Sequence, residues 1–172
     1  MKVFEEHVSK FKEGNEVDDF PINGKLSLSD LKGDPIFLVF WKTLWTHCQQ
    51  EAPVIEKEIW QRCKDDGLRV YAFGVKENSE QTSLWSSQHN LTYPVITDPT
   101  GEIYKRFGTG SVPYHVIIDR HFRISLSQED FEKKLLIKMI QDALRGAWTI
   151  LWNGMLFLDH GQERPLIIIE RV

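Results

Sequence analysis

Six consecutive apolar residues, Ile36 to Trp41, follow the turn signals Gly33 and Pro35 and run straight into Lys42-Thr-Leu-Trp-Thr-His-Cys48. A strand with no polar residue on either face needs cover above and below, which a β-sheet obtains from helices on both sides. The expected fold is therefore α/β. The turn that ends the strand becomes the first place to look for chemistry, because it carries one of the chain's two cysteines, Cys48 and Cys63.

The rest of the chain alternates accordingly. Val3, Phe4, His7, Val8 and Phe11 fall at helical spacing and predict a short helix over 2–12, ended by Gly14. Leu26, Leu28 and Leu31 alternate with polar residues up to Gly33, which reads as an edge segment and a turn. Ala52, Ile55, Ile59 and Cys63 mark one face of a helix from Cys48 to Asp66, stopped by Gly67 and bent at Pro53, one turn inside it. A strand over 68–75, a helix over 79–90, a strand, turn and short helix over 93–108, two strands over 112–125 and a helix over 127–146 complete the pattern. Strands alternating with helices predict layers of helix on a central sheet.

Composition narrows the partners. A chain of 172 residues with 41% hydrophobic content suits one domain with an appended element. Its net charge of −4 provides no basic footprint for nucleic acid or an anionic membrane surface. No apolar run reaches the roughly 18 to 20 residues that span a bilayer, and the N-terminus is charged rather than signal-like. The sequence as written is expected to be soluble and cytoplasmic, or periplasmic or otherwise extracytoplasmic if a signal peptide once preceded it. Two cysteines are too few for a disulfide scaffold or a structural zinc site, so any thiol chemistry is local; no metal and no cofactor is implied.

Three separated stretches, in order, resemble one family: Leu26 to Trp41, Tyr93 to Gly108, and Gly110 to Ile124. Residues from about 14 to 145 resemble the redoxin, or AhpC/TSA, branch of the thioredoxin-like superfamily, especially its TlpA-like thiol-disulfide oxidoreductases. The resemblance implies a three-layer α/β sandwich around a central mixed sheet and a cis proline at Pro113. It also implies a thiol-dependent oxidoreductase or antioxidant activity. The expected organisation is an N-terminal helix over 1–13, a thioredoxin-like domain over 14–146 and a C-terminal β extension over 147–172.

At the decisive turn the sequence departs from that family. Dithiol members read Trp-Cys-x-x-Cys before the helix; with Pro53 on the family's helix proline, Cys48 takes the second cysteine and Trp45 replaces the first. A disulfide exchanger needs one thiolate to attack and another to resolve, so this turn cannot complete that cycle alone. Cys63 lies on the same predicted helix about 22 Å away at 1.5 Å per residue, too far for a disulfide, and reads as a buried small hydrophobe. The peroxidase branch places its lone cysteine where Cys48 stands. Its supporting proline and threonine correspond to Trp41 and Trp45, however, and its arginine corresponds to Pro113.

Two readings of Cys48 remain open. The first turn of a helix and the neighbouring His47 both lower a thiol pKa, which would make Cys48 an attacking group resolved by an external thiol reductant. Burial beneath Trp45 would make it inert. The candidate catalytic residues are Cys48 and His47; the candidate substrate-binding residues are Trp45, Thr46, Val112, Pro113 and Tyr114. They surround a groove for a peptide or protein substrate docking as an extended strand. A metal site from His47, Cys48 and His115 is a minor alternative, and His115 is more often a strand residue satisfied by a hydrogen bond. His7, His89, His121 and His160 read as solvated surface. Trp41 reads as core or site wall, and Trp60 as packed on its helix.

Past Gly146 the sequence leaves the family pattern. Trp148 to Leu158 forms two apolar runs around Asn153-Gly154, a strong two-residue hairpin signal, and Arg164 to Val172 predicts a third strand. Ile150, Trp152, Leu156, Leu158, Ile167 and Ile169 are too apolar for a ribbon in water. They are expected to pack on the domain, by extending its own sheet, or on a second copy to form a homodimer.

Overall fold

The computed structural model describes residues 11–146 and, beyond them, the strand segments 148–152, 155–159 and 166–167. In chain order the elements are β1 (Pro21–Asn23), β2 (Leu26–Ser27), a 3-10 turn (Leu28–Leu31), β3 (Ile36–Trp41), α1 (Thr46–Val54), a π-helical stretch (Ile55–Trp60) and α2 (Gln61–Cys63). There follow β4 (Arg69–Val75), α3 (Ser79–Gln88), β5 (Val95–Asp98), α4 (Tyr104–Phe107), β6 (Tyr114–Ile118), β7 (Ile124–Gln128) and α5 (Lys133–Arg145). The last three are β8 (Trp148–Trp152), β9 (Met155–Asp159) and β10 (Leu166–Ile167).

The central sheet has the order β5-β4-β3-β6-β7. Its β3–β4 and β4–β5 pairs are parallel and its β3–β6 and β6–β7 pairs antiparallel, the mixed sheet expected from the sequence. All six residues of β3 are buried, as their unbroken apolar character required. On one face Phe40 packs against Phe73 and Tyr104 with ring centroids 5.4 and 5.5 Å apart. On the other, Phe37 stacks on His115 and Trp41 on Trp85, at 6.0 and 4.0 Å.

The helix carrying Cys48 begins at Thr46, with Trp45 as an extended N-cap. Pro53 has no N–H to give, and a π-helical stretch follows directly, so the helical run continues through a locally widened turn. It ends where Gly67 adopts φ 98°, a left-handed angle that glycine reaches without steric cost. In α3 the cap is reciprocal: Gln81 N–H donates to Asn78 Oδ1 at 2.9 Å while Asn78 N–H donates to Gln81 Oε1 at 2.8 Å. Helix α5 starts at Lys133, later than the expected 127, because β7 runs on to Gln128; it closes at Gly146 as anticipated.

The expected N-terminal helix lies, but for its end, outside the described residues. Phe11 and Lys12 are not helical, and Phe11 is buried against Phe107 at 5.4 Å. The tail does not extend the central sheet: β8 and β9 pair antiparallel through Trp152 and Met155, β10 joins β9, and the three form a sheet of their own. The turn residues Asn153 and Gly154 lie outside the described residues. Among the described residues, no helix is long and apolar enough to cross a membrane.

Candidate functional site

The site gathers where β3 ends, α1 begins and the chain enters β6. The turn between β3 and α1 is tied down from two sides: Thr43 N–H donates to Glu77 Oε1 at 2.9 Å, and Gln49 Nε2 donates to the Thr43 carbonyl at 2.9 Å. Glu77 is only 3% exposed and sits in the loop after β4, beside Lys76 at φ 58°. From the other side the Val112–Pro113 bond is cis, as the resemblance implied. Tyr104 holds the approach to it, donating its hydroxyl to the Ser111 carbonyl at 2.5 Å and accepting Gly110 N–H at 2.9 Å.

Cys48 lies beneath this arrangement, 2% exposed. A small closed cavity of about 10 Å³ brings its side chain together with Glu51, Tyr93, Trp41, Trp85 and Pro113. Burial pushes the thiol up to about 12. A hydrogen bond with the Lys42 backbone opposes the rise, and the charge of Glu51 adds to it. The expected lowering by the helix N-terminus and His47 is thus reversed: a half-charge at a helix end does not offset removal of a thiolate from water. Cys63 is half-buried rather than buried, and its thiol is also raised, by burial first and by Asp66 next.

Glu51, one turn beyond Cys48, is 8% exposed and its Oε2 lies 3.1 Å from Nε2 of fully buried His115. His115 therefore does have the hydrogen bond expected of a strand histidine, but with a carboxylate at the centre of the site. Sharing Glu51 and Pro113 with this pocket, an open groove of about 570 Å³ is lined further by His47, Gln50, Val112, Glu129, Asp130 and Phe131. Glu129 is hydrogen-bonded by the Thr109 hydroxyl.

The sequence-predicted residues divide between these spaces. His47, Val112 and Pro113 line the groove, and Cys48 and Pro113 line the cavity. Trp45 is half-buried and Thr46 exposed at the start of α1. Tyr114 faces away from both: it is 3% exposed, bonded through its hydroxyl to Ser127 Oγ at 2.7 Å and set edge-on to Tyr104, so it belongs to the core. Alternation along a strand explains this, since Tyr114 and His115 must point to opposite faces. His89 is not solvated surface; its ring packs edge-on against Trp85 at 4.3 Å and desolvation lowers its pKa. His121 is exposed as expected, while His7 and His160 lie outside the described residues. Trp60 is half-buried and donates its indole N–H to Thr92 Oγ1 at 2.9 Å.

Among the described residues, no group of three or more His, Cys, Asp or Glu side chains could hold a metal ion, which removes the proposed His47, Cys48 and His115 set. Sequence reasoning missed Glu51 and Glu77. Glu51 had a signal: it falls between Cys48 and Ala52 on the apolar stripe of its helix, where an unpaired carboxylate is costly.

The AhpC/TSA family model matches residues 6–127, so the chain belongs to the AhpC/TSA family. It is similar to the thiol-disulfide oxidoreductase ResA of Bacillus anthracis, 29% identical over 119 residues that span 67% of this chain and 68% of that one. Among solved structures it resembles a candidate protein disulfide isomerase from Bacteroides thetaiotaomicron at TM-score 0.73 and 26% identity, covering 78% of this chain and 91% of that one. It also resembles a candidate thiol:disulfide interchange protein DsbE from Chlorobium tepidum at TM-score 0.70 and 25% identity, covering 78% and 99%. The fold is thioredoxin-like, and the relatives are thiol-disulfide oxidoreductases.

Proposed function

We propose that this chain is a thioredoxin-fold binding module whose thiol is silent in the resting protein and whose groove beside Pro113 receives an extended segment of a protein partner. The observation that carries the reading is the state of Cys48, 2% exposed and raised to about 12, in a turn where Trp45 stands in place of a first cysteine. Far below that value the thiolate is a minute fraction: about one part in 10⁴ at pH 8. The groove is intact by contrast. Val112 and Pro113 lie beyond the last paired residues of β6 with β3 and with β7, where a bound backbone has room to align.

The experiment is alkylation of Cys48 in the folded protein against pH, in a Cys63→Ala background. The reading expects little reaction near neutral pH until denaturant is added. Rapid reaction with a midpoint below about 8.5, the ordinary free-cysteine value, overturns it. A peptide selected on the immobilised protein should then bind Cys48→Ser as tightly as the parent; loss of binding on that substitution would also sink the reading.

A second reading keeps the chemistry of the relatives, and the shared cavity of Cys48 and Pro113 favours it. Here Cys48 thiolate attacks a substrate disulfide, forms a mixed disulfide and releases one substrate thiolate. An external thiol then attacks the mixed disulfide and returns Cys48 to the reduced state. Fast alkylation and a thiol turnover abolished by Cys48→Ser would select it. The apolar β8–β10 sequence further supports a homodimer through the tail. A dimer mass by light scattering is expected, and a monomeric mass at working concentration removes this proposal.

A further inference from the structure

The groove beside Pro113 is acidic. Among the described residues that line it, Glu51, Glu129 and Asp130 carry carboxyl groups, His47 carries an imidazole, and neither lysine nor arginine takes part. Glu51 turns inward, its Oε2 3.1 Å from Nε2 of buried His115. Glu129 and Asp130 face solvent, and among the described residues neither forms an ion pair with a lysine or arginine. Glu129 accepts a hydrogen bond from the neutral Thr109 hydroxyl. The next basic residue along the chain, Lys133, is turned to Glu58 at 3.2 Å.

Two acids on a rim are ordinarily a solvated surface, and their surroundings set these apart. They border a groove of about 570 Å³, roomy enough for side chains of a partner. Phe131 follows them directly and lines the same groove, half-buried, with its ring centroid 5.5 Å from that of His115. Carboxylates beside an aromatic ring suit an organic cation: the oxygens accept its N–H groups in charge-assisted bonds, and the ring attracts its positive charge. A metal ion is a poorer fit, since among the described residues no three acidic, histidine or cysteine side chains converge to hold one. Val112 and Pro113 lie beyond the last paired residues of β6 and line the groove with the acids.

We propose that the groove selects a partner segment bearing a lysine or arginine, whose cationic head is held by Glu129 and Asp130 against Phe131 while its backbone runs along Val112 and Pro113. An extended segment sends successive side chains to opposite sides, so a single residue at a fixed place in it meets the acidic wall. Val54, Val112 and Pro113 supply apolar surface for the rest. The charge of the whole chain, −4, acts in the same direction: it draws a basic partner in and disfavours a second copy of this chain at this face. The inference rests on the reading of the groove as a docking site and names the chemistry that it accepts.

The probes are short peptides with blocked ends, selected from a random pool on the reduced, immobilised parent protein. Lysine or arginine should be enriched at one position. In the best binder, glutamine at that position should weaken binding about tenfold; Glu129→Gln and Asp130→Asn should each weaken the original peptide about threefold, and together about tenfold. Asp65→Asn/Asp66→Asn removes the same charge from a turn outside the groove and should leave binding unchanged. The glutamine peptide should bind the parent and Glu129→Gln/Asp130→Asn alike, and salt at about 1 M should remove most of the parent's advantage. Amide shifts of Val112 and Phe131 in nuclear magnetic resonance report where the peptide sits. Peptides that move those amides without cationic enrichment, or that weaken equally in both double variants, overturn the cation site and leave the docking groove standing. Selection of no peptide, or of peptides that bind elsewhere, defeats the groove reading and this inference with it. Displacement by spermidine as effective as by the peptide assigns the acids to a free polyamine and overturns the proposal.

Discussion

The closed pocket under Pro113 and the open groove beside it share a wall and differ in almost every other respect. The pocket sets Cys48, Glu51 and two stacked tryptophans around only about 10 Å³ of free space; the groove, which Glu51 also borders, offers about 570 Å³ beside His47, Glu129 and Asp130. A thioredoxin fold ordinarily couples these spaces, because the attacking thiol stands at their junction. Here, with Cys48 aligned on the second cysteine, Trp45 takes the place of that thiol in the sequence, and on the proposed reading the two spaces part company: the pocket is chemically silent while the groove still receives a partner.

The strongest way to break the comparison is Trp45→Cys. Residues 45 and 48 are three apart at the start of α1, a separation at which helical side chains meet, so the two sulfurs can bridge. In the Cys63→Ala background, oxidation should convert the protein nearly completely to the 45–48 disulfide, read as a loss of two hydrogens in the intact mass. The parent should show none. A model disulfide substrate should then be reduced only by the variant. Persistence of two free thiols under oxidant would mean that Cys48 is closed off by more than the missing partner.

A smaller effect tests the shared wall. Tyr104 is fully buried and bridges Ser111 and buried Gly110 with one hydroxyl, fixing the segment that leads into Pro113. Tyr104→Phe leaves an orphaned donor and acceptor and should cost about 1–3 kcal/mol in urea unfolding. The groove should lose affinity for a selected peptide while Cys48 stays slow to alkylate. If Cys48 becomes reactive as well, the two spaces are mechanically one.

How much of this could be read from the chain depends on the range of the interactions. The strand Ile36–Trp41 and the stops at Gly67 and Gly146 are encoded within a few residues, and they were legible; the reciprocal cap at Asn78 and Gln81 is just as local but went unread. The widened turn after Pro53 was not, since a proline predicts disruption without saying whether a helix bends or widens. Tyr114 was misplaced because both faces of β6 are buried: with no polar alternation, nothing in the sequence says which side meets α1. The fate of Cys48 turned on burial, and burial depends on Trp41, Trp85 and Pro113 from three separate elements. The Glu51–His115 pair was invisible for the same reason, although each member is an anomaly on its own apolar face.

The raised thiol gives the pocket a pH signature of its own. Cys48 ionises at about 12 in the folded protein against about 8.5 when unfolded, so the folded state keeps a proton the unfolded state releases. Its contribution is intact below the unfolded value and is lost as pH rises from there toward 12, at up to about 1.4 kcal/mol per pH unit. Tyr93 and Tyr104, both raised by burial, add slopes of the same sign. The comparison with Cys48→Ala isolates the cysteine. That variant should show a shallower decline in chemical-denaturation stability above pH 9, and equal slopes would mean the sulfur is less shielded than the pocket implies.

The smallest expected effect lies on the outer layer of the same pocket. His89 packs edge-on against Trp85, which stacks on Trp41, the residue that lines the cavity with Cys48. Desolvation holds its imidazole below the usual value, so the folded protein binds a proton less readily than the unfolded chain. The sign is opposite to that of Cys48: stability is present above the ordinary histidine value and lost as pH falls through it. Because His89 is half-exposed, solvent screens the charge and the loss should be slight. His89→Gln should flatten the decline between about pH 7 and 5 without altering Cys48 alkylation or peptide binding in the groove. A change in Cys48 reactivity would show that the closure of the pocket extends through both tryptophans to the surface, making the aromatic stack, and not only Pro113, part of what keeps the thiol from solvent.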